Sequence, residues 1–497
     1  MRPDRFAPTQ AQLERTLSLR NGHRLWVGLG IVAASTVFAS NAQAQAQTID
    51  WTAIENESVA MLQDYLRIDT TNPPGNETLG AEFFAKHFAD NGIESQIVES
   101  APGRGNIIAR LRGDGSKQAV VLMHHMDVVP ADARFWTADP FGGEIRDGEL
   151  YGRGAIDTKG MGVANALALL TLKRSGIQLA GDVIFLGVAD EEAGGKMGAG
   201  YVVKTHPEWF EGTSVVLNEG GYIASDADGK IVFYGVEAAQ KVPFWVRLVA
   251  QGAPGHGSMP RPDSASNRLV RALGRVIAYE TPLRVVREVQ QFYADTAHLA
   301  PSELQPALAD LRASLADPAF AKTFTSDIRQ NALVRNTISL TALRGSNKTN
   351  VIPAEASAEL DIRLLPDQDP VAFLEELKRV INDDTIQVET LLSFPAATSP
   401  LDHELFDVLR EFAKRDAPDA VVTTPLLGGF TDCHYFREHD IPCYGFWPFA
   451  LNEQSFGVVH GNDERIGVDV LKAGTRTMIE LVAKLAGATL PNHAPSP

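Results

Sequence analysis

Four short segments of the chain combine acidic residues with histidine, and each adjoins an apolar run. They are His124-His125-Met126-Asp127, Ile156-Asp157, Asp190-Glu191-Glu192 and Asn218-Glu219, and a distant imidazole, His460, adds a fifth group. Carboxylates packed together repel one another, so at least one must become protonated or bind a cation. Histidine and carboxylate ligands without thiolate suit zinc, and two zinc ions side by side need a bridging carboxylate. Each group alone is ordinary, but their coincidence indicates a two-metal site.

The elements that must position these groups alternate between buried strands and helices. The pattern predicts strands at 119–123, 183–188 and 214–217, and helices at 54–66, 79–91 and 160–175. Continuous apolar runs are typical of strands buried on both faces, so the fold class is α/β with a mostly parallel sheet. Sites in such sheets lie beyond the carboxyl ends of the strands. The metal-ligating groups are therefore expected to converge on one edge.

The pattern changes in the middle of the chain, where residues 242–250 alternate as a half-exposed strand does. A helix at 264–279, strands at 337–343, 356–364 and 386–392, and a helix at 371–381 predict a β-α-β-β-α-β unit. The polar segment 284–335 reads as helical. The buried pattern returns after residue 400. We therefore predict a catalytic domain in two parts (47–236 and 396–490), interrupted by an inserted α+β, ferredoxin-like lid domain (237–395).

The first 46 residues have the pattern of a secretory signal peptide. Arg15, Arg20 and Arg24 precede an apolar stretch at 25–39, and small residues with Ala-x-Ala sites follow. The apolar stretch is shorter than the ~20 residues that span a bilayer. The prediction is a secreted or periplasmic protein that has no membrane contact after cleavage. An uncleaved membrane anchor is the alternative.

Composition excludes several functional classes. The net charge of −17 disfavours nucleic acid and anionic membranes as partners. Neither GxGxxG nor GxxxxGK[ST] follows a suitable strand, which removes nucleotide-binding folds. Two cysteines, Cys433 and Cys443, rule out a four-thiolate zinc site. Their pairing in an oxidising compartment is left open by the sequence.

Six strings, in order along residues 51–485, resemble the aminoacylase, acetylornithine deacetylase and glutamate carboxypeptidase family of dizinc metallopeptidases. They are HMDVVP (125–130), GRGAIDTKG (152–160), ADEEAGG (189–195), GAPGHGSMP (252–260), TNVIPAEA (349–356) and HGNDERI (460–466). The resemblance is closest to the branch that contains vacuolar carboxypeptidase and N-fatty-acyl-amino-acid hydrolase.

The resemblance implies a role for each residue of the metal site. His125 and Glu219 would hold one Zn²⁺, Glu192 and His460 would hold the other, and Asp157 would bridge both. Asp127 would bond the second nitrogen of His125 and fix its tautomer. Glu191 would be the general base. Co²⁺ or Mn²⁺ are acceptable substitutes for Zn²⁺ with these ligand types.

The lid and its surroundings would contact the substrate. His256 would donate to the oxyanion, and some members of the family supply this histidine from a partner subunit, which suggests a homodimer through the lid domain. Asn350 and Arg363 would hold a substrate carboxylate, although a structural ion pair explains Arg363 equally well. Gly428 and Gly429 would turn backbone amides towards the substrate.

One position departs from the family pattern. Relatives often read Thr-Asp-x-Arg where this chain has Thr-Asp-Cys-His at 431–434. His434 lacks the planar, bidentate donor group of arginine, so the contact that relatives make with the charged end of the substrate is not expected in the same form here.

The predicted function is hydrolysis of N-acyl amino acids or of C-terminal peptide bonds, on a small-molecule or peptide substrate with a free carboxylate. The alternatives are a dipeptidase or carboxypeptidase acting on short peptides, and a metal-binding relative without turnover. Glu191 and the full ligand set argue against the last alternative.

Overall fold

The computed structural model describes residues 49–491, so the predicted signal peptide lies outside the described residues. Within that range no helix combines the length and the apolar character needed to cross a bilayer. The described helices are α1 (Trp51–Leu66), α2 (Glu77–Asp90), α3 (Lys159–Ser175), α4 (Ala199–Thr205), α5 (Ala265–Ala278), α6 (Arg287–Thr296), α7 (Gln305–Ala309), α8 (Leu311–Ser314), α9 (Pro318–Phe324), α10 (Ile328–Leu333), α11 (Pro370–Ile381), α12 (Glu404–Asp416), α13 (Cys433–Arg437), α14 (Glu453–Phe456) and α15 (Val468–Leu485).

The strands fall into two main sheets and three small ones. They are β1 (Ser95–Glu99), β2 (Gly105–Leu111), β3 (Ala119–His125), β4 (Glu144–Arg146), β5 (Glu149–Tyr151), β6 (Val183–Val188), β7 (Thr213–Ser225), β8 (Ile231–Gly235), β9 (Ala239–Gln240), β10 (Val242–Gln251), β11 (Gly255–His256), β12 (Thr337–Arg344), β13 (Val351–Ile352), β14 (Glu355–Leu364), β15 (Ile386–Ser393), β16 (Val421–Thr423), β17 (Leu426–Leu427), β18 (Cys443–Leu451) and β19 (Arg465–Gly467).

The large sheet has eight strands in the order β1-β2-β6-β3-β7-β8-β16, with β18 also paired to β7. The pairs β3/β6, β3/β7, β7/β18 and β8/β16 are parallel. Every residue of β3 and β6 is buried. Successive side chains of β3 point to opposite faces of the sheet, so Val120 and Val121 lie in two different hydrophobic cores. The predicted α/β class with a mostly parallel sheet is confirmed.

Local sequence signals fix several helix ends. Asp50 begins α1 by accepting the Ala53 N–H, and Asp369 begins α11 by accepting the Val371 N–H. Gly176 ends α3 in the left-handed conformation, at φ 66°. Helix α3 is buried along nearly its whole length, and a Cβ at Gly162 would lie 2.4 Å from the His124 ring. The close approach of α3 to β3 therefore requires glycine there.

The second sheet has four antiparallel strands in the order β12-β14-β10-β15. Together with α5 and α11 this is the ferredoxin-like order that the β-α-β-β-α-β pattern predicts. Its core is separate, with Leu248, Ile362 and Phe373 among the buried residues. The sheet is the lid expected from the sequence, while the domain boundaries at 237 and 395 stay predictions.

The polar segment 284–335 forms helices α6 to α10, as expected, and these have a small core of their own. That core includes Tyr293 and Phe324 together with Leu365, which follows β14, and Leu426 of β17. The helices therefore contact the end of the lid strand β14 and the small β9/β17 sheet, and the ring of Phe292 in α6 also lies 5.7 Å from that of Phe233 in β8 of the large sheet. Beside them, Lys241 lies between β9 and β10 and donates to the carbonyls of Ala332 and Arg335, both at 2.9 Å.

Candidate metal centre

The five predicted metal ligands meet at the carboxyl ends of the central strands. His125 is the last residue of β3, Glu192 lies in a 3-10 turn directly after β6, and Asp157 lies two residues before α3. His460 comes from the loop between α14 and β19. Glu219 differs from the sequence expectation, because it lies inside β7 and not after its end. The strand continues past Leu217 because Gly220, at φ 129°, and Gly221 permit close contact with Gly445 and Gly235.

Asp157 lies between two imidazoles and presents a different oxygen to each. Its Oδ1 is 3.0 Å from Nε2 of His125, and its Oδ2 is 3.1 Å from Nε2 of His460. Glu219 Oε1 is 3.6 Å from the same nitrogen of His125. Glu192 Oε2 is 3.3 Å from that of His460. Each imidazole nitrogen thus lies near Asp157 and near one glutamate, Glu219 for His125 and Glu192 for His460, while Glu192 also lies within 4.8 Å of the ligand atoms of His125 and Asp157.

These separations fit two metal ions. Two ligand atoms at zinc distances of ~2.1 Å and at the tetrahedral angle are about 3.4 Å apart. The four N···O distances lie between 3.0 and 3.6 Å. Glu192 Oε1 is buried and, among the described residues, has no hydrogen-bond partner. A buried carboxylate oxygen without a partner is costly unless a cation or proton satisfies it, so the residues fit the group that their types imply.

Glu191 faces the first of these pairs. His125, Glu191 and Glu219 each offer a ligand atom, and the three atoms lie within 4.8 Å of one another. Burial raises the pKa of the Glu191 carboxyl well above its ordinary value, and the charge of Glu219 adds to the rise. Burial likewise raises the pKa of Glu219, and Asp157 adds to this rise although His125 opposes it. Burial and the neighbouring carboxylates thus favour the protonated form of Glu191 when no cation is bound beside it.

Hydrogen bonds within the cluster shift the pKa values of His460 and Asp157 towards their charged forms. Hydrogen bonds with Asp157 and Glu192 raise the pKa of His460 to about 10. Burial acts against the charged form of Asp157, but hydrogen bonds with His125 and His460 outweigh it and hold the pKa of Asp157 below its ordinary value. The cluster thus favours positive charge placed among its carboxylates, which is what a divalent cation would supply.

Asp127 is placed differently from the sequence expectation. Nδ1 of His125 lies 2.9 Å from the backbone carbonyl of Asp127 but 3.5 Å from its carboxylate. The carbonyl is therefore the acceptor that fixes the tautomer and leaves Nε2 facing Asp157. The Asp127 carboxylate accepts the N–H groups of Glu191 and Glu192, at 3.1 and 3.2 Å, because the turn after β6 brings both within reach. Asp127 positions the predicted base and a predicted ligand together.

A buried polar network continues behind Asp127. Asn72 donates to Asp127 Oδ2 at 2.8 Å, and Arg104 donates to Asp190 Oδ1 at 2.8 Å. Arg104 also pairs with the fully buried Glu77 at 2.8 Å. Asp190 adopts the left-handed conformation, at φ 73°, which starts the turn carrying Glu191. Sequence reasoning missed Asn72, Glu77 and Arg104, because nothing in their local pattern distinguishes them from surface polar residues.

Sequence reasoning also missed Glu464, four positions after His460. Its buried carboxylate accepts the backbone N–H of Asp157 at 3.1 Å and the guanidinium of Arg153 at 2.8 Å. A signal was available, since Arg153 and Glu464 lie in two of the six family-like strings. The sequence alone gives no reason to join those strings to each other.

The predicted substrate residues of the lid are not brought to the metal ligands by any contact in the described range. His256 is exposed, and its Nδ1 accepts the N–H of Ser258 at 3.1 Å. The backbone carbonyl of Asn350 accepts the Gly257 N–H at 2.8 Å, so His256 and Asn350 lie together. Arg363 pairs with Asp361 at 2.7 Å, and its guanidinium carbon lies 5.3 Å from the centre of the Phe430 ring. The ion pair foreseen for Arg363 is present.

Gly428 and Gly429 are exposed, and a Cβ at either position would meet no atom within 4 Å. His434, the departure from the family pattern, is buried. Its ring stacks on Phe394 at 3.6 Å, and its Nδ1 lies 2.8 Å from Glu438. The adjacent Cys433 forms a disulfide with Cys443, which answers the question left open by the sequence.

The chain is similar to known proteins over most of its length. A profile of peptidase family M20/M25/M40 matches residues 121–484. The chain belongs to this family. Its members among the relatives include human N-fatty-acyl-amino acid synthase/hydrolase PM20D1, 27% identical over 86% of this chain and 88% of that protein. Pig aminoacylase-1 is 27% identical over 88% of this chain and 98% of that protein. The M20 chain is thus a metallopeptidase or amidohydrolase.

Solved structures support the fold. An M20 metallo-carboxypeptidase from Sulfolobus solfataricus covers 86% of this chain and 99% of its own, at a TM-score of 0.66 and 20% identity. Human carnosine dipeptidase 1 covers 88% of this chain and 99% of its own, at a TM-score of 0.60 and 18% identity. At such identities the likeness concerns the fold alone, including the catalytic sheet and the separate lid.

Proposed function

We propose that this M20 chain is a two-zinc hydrolase that cleaves the amide bond of N-acyl amino acids with a free carboxylate, or the chemically equivalent C-terminal peptide bond. The observation that carries the proposal is Asp157, whose two oxygens face His125 and His460 at 3.0 and 3.1 Å. A carboxylate between two imidazoles, with one further glutamate on each side, is the donor set of a bridged metal pair.

Two sets of side chains would each hold one ion. His125 and Glu219 would hold one, His460 and Glu192 the other, and Asp157 would be common to both. Bound there, the ions would supply Lewis acidity towards the substrate carbonyl and lower the pKa of water towards ~7. Zn²⁺ is proposed from the ligand types, with Co²⁺ or Mn²⁺ as substitutes.

Glu191 is proposed as the general base. Its carboxylate lies among the ligand atoms of His125 and Glu219, and Asp127 holds its backbone N–H at 3.1 Å. From this position the Glu191 carboxylate would accept a proton from the attacking water and return it to the leaving nitrogen. Glu192, the next residue, points to His460 instead, so the turn separates the base from the ligand.

The lid is proposed to bind the substrate. Arg363 presents a guanidinium, 21% exposed, that is suited to a carboxylate. Gly428 and Gly429 leave open space beside their backbone, and Asn350 lies next to the loop of His256. Because His256 is exposed in the single chain, we propose that lid closure or the lid of a second copy in a homodimer brings it over the metals.

The test combines a substrate panel with one substitution. Purified protein should release free amino acid from N-acyl amino acids with a free carboxylate and fail with the same compounds amidated at the carboxylate. Glu191→Gln should lower kcat by about 10²- to 10⁴-fold while the metal content stays at about two ions per chain. Equal rates on amidated substrates contradict carboxylate recognition, and full activity of Glu191→Gln removes the proposed base.

The sequence pattern of residues 1–46 supports the further proposal that the protein is secreted or periplasmic. Cell fractionation followed by N-terminal sequencing tests it. A cytoplasmic protein that begins at residue 1 contradicts it.

A further inference from the structure

We propose that Glu464 and Arg153 are positioning residues that clasp together the two loops carrying Asp157 and His460, and that this clasp creates the metal site on the His460 side. The inference rests on the proposed metal binding and assigns a role to two residues that contact no substrate. We call the pair the Arg153–Glu464 clasp.

The Glu464 carboxylate is saturated with donors from the Asp157 loop. Its Oε1 accepts the backbone N–H groups of Ile156 and Asp157, at 2.9 and 3.1 Å. Its Oε2 accepts the backbone N–H of Gly154 at 3.0 Å and the Arg153 guanidinium at 2.8 Å. Four donors on one buried carboxylate fix the backbone on which the bridging aspartate is mounted.

Arg153 extends the clasp to the other loop. Besides Glu464 it donates to the backbone carbonyl of Gly461, next to His460, at 2.8 Å. Both side chains are almost wholly removed from solvent, at 3% exposed for Arg153 and 0% for Glu464. The guanidinium carbon also lies 5.1 Å from the centre of the Trp136 ring. The two loops, 311 positions apart in sequence, are thereby held in one arrangement.

The backbone shows what the clasp adds to the fold. Strand β19 pairs with β5, and the Gly152 N–H donates to the Glu464 carbonyl at 2.9 Å. This pairing ends before it reaches either ligand. From there the Glu464 side chain extends the connection to the backbone of Asp157, and the Arg153 side chain extends it to the residue beside His460.

The two metal sites depend on the clasp unequally. His125 and Glu219 are mounted on β3 and β7, neighbouring strands of the large sheet. His460 is mounted on a loop, and its side chain is 54% exposed. Loss of the clasp should therefore weaken metal binding at the His460 side more than at the His125 side.

Glu464→Gln is the sharpest test, because the substitution preserves shape but not the acceptor pattern. Each carboxylate oxygen of Glu464 accepts two hydrogen bonds. In either orientation of the glutamine amide, its NH₂ group would face two N–H donors and could accept from neither. Asp182→Asn is the matched control. Asp182 also accepts a backbone N–H and two guanidiniums, from Arg110 and Arg112, but it lies at the opposite end of β6.

The measurement is metal per chain by elemental analysis after equilibration with a weak chelator, together with zinc titration by calorimetry. We expect about one ion per chain in Glu464→Gln, because the affinity of the site on the His460 side should fall about 10- to 100-fold. Asp182→Asn and wild type should both hold about two ions per chain. Far-ultraviolet circular dichroism checks that the folds match. Two ions retained with unchanged affinity in Glu464→Gln, or equal weakening of both sites, overturns the clasp.

Arg153→Lys keeps the charge but cannot bond Glu464 and Gly461 at the same time, so it should weaken the same site by a smaller factor. This variant decides the question if Glu464→Gln does not fold, and unchanged binding then overturns the proposal. Wild-type protein that holds no divalent metal contradicts the proposed function itself, which separates that failure from a failure of the clasp.

Discussion

His125 and His460 contact opposite oxygens of one carboxylate, yet their exposures differ widely. The side chain of His125 is 1% exposed and that of His460 is 54% exposed. Water and small chelators therefore reach one half of the centre far more readily than the other. The two halves are chemically alike in their donors but unlike in access.

This difference predicts stepwise metal removal. A chelator should remove the ion held by His460 and Glu192 first, and the ion held by His125 and Glu219 several-fold more slowly. Elemental analysis of samples taken over time, with activity measured in parallel, checks it. His460→Ala should begin with about one ion and show only the slow phase. Release of both ions in a single phase contradicts the assignment.

Arg363 should act on substrate affinity. In Arg363→Lys the planar fork and its stacking on Phe430 are lost, so KM should rise about tenfold with little change in kcat. Arg344→Lys is the control, because Arg344 lies on β12, pairs with Glu359 and is 64% exposed. Steady-state kinetics on one N-acyl amino acid compares the two. An equal response of both variants would mean that Arg363 is only the partner of Asp361.

The disulfide should contribute to stability. The Cys433–Cys443 disulfide closes a loop of ten positions. In the loop-entropy account, the lost chain entropy raises the free energy of the unfolded state by about 3 kcal/mol. The double variant Cys433→Ala/Cys443→Ala should lose about 2–4 kcal/mol of unfolding free energy in urea titrations. Both sulfurs are buried, so wild type should resist mild reductant while folded. A double variant as stable as wild type contradicts the prediction.

Asp182 gives a pH-dependent prediction. Burial acts to raise the pKa of its carboxyl, but hydrogen bonds from the Gly113 N–H, Arg110 and Arg112 outweigh it, and the pKa lies below its ordinary value. The unfolded chain therefore binds the proton at a higher pH than the folded chain. The stabilisation is present above the ordinary pKa of ~4 and is lost as pH falls through the lower folded value. Asp182→Asn should be destabilised at pH 7 by about 1–3 kcal/mol, with the gap to wild type closing in acid.

Denaturant titrations of wild type and Asp182→Asn at pH 7, 5 and 3 measure that gap. A constant difference across these values would show that the carboxylate charge contributes nothing.

The sequence predicts elements best where burial alone decides their type. Strand β6 has the predicted bounds, 183–188, because it is one continuous buried run. Strand β7 is longer than predicted, since its continuation depends on Gly445 of a distant strand approaching Gly220. Local periodicity carries no information about such an approach.

The same limit applies to the site. Residue type and family-like strings pointed to the five ligands, and the structure brings them together. The acceptor of Nδ1 in His125 is a backbone carbonyl, which no side-chain pattern can reveal. Arg104 and Glu464 act through buried contacts with partners far along the chain, so their roles appear only once the chain is folded.

The clasp also bears on how the protein is made. His125, Asp157 and Glu192 leave the ribosome well before His460 and Glu464, and β18, which pairs with β7, comes late as well. A nascent or prematurely ended chain that stops short of residue 460 has four of the five predicted ligands and lacks His460 and the loop that carries it. The proposed second ion therefore depends on a ligand that only a chain completed beyond residue 460 contains.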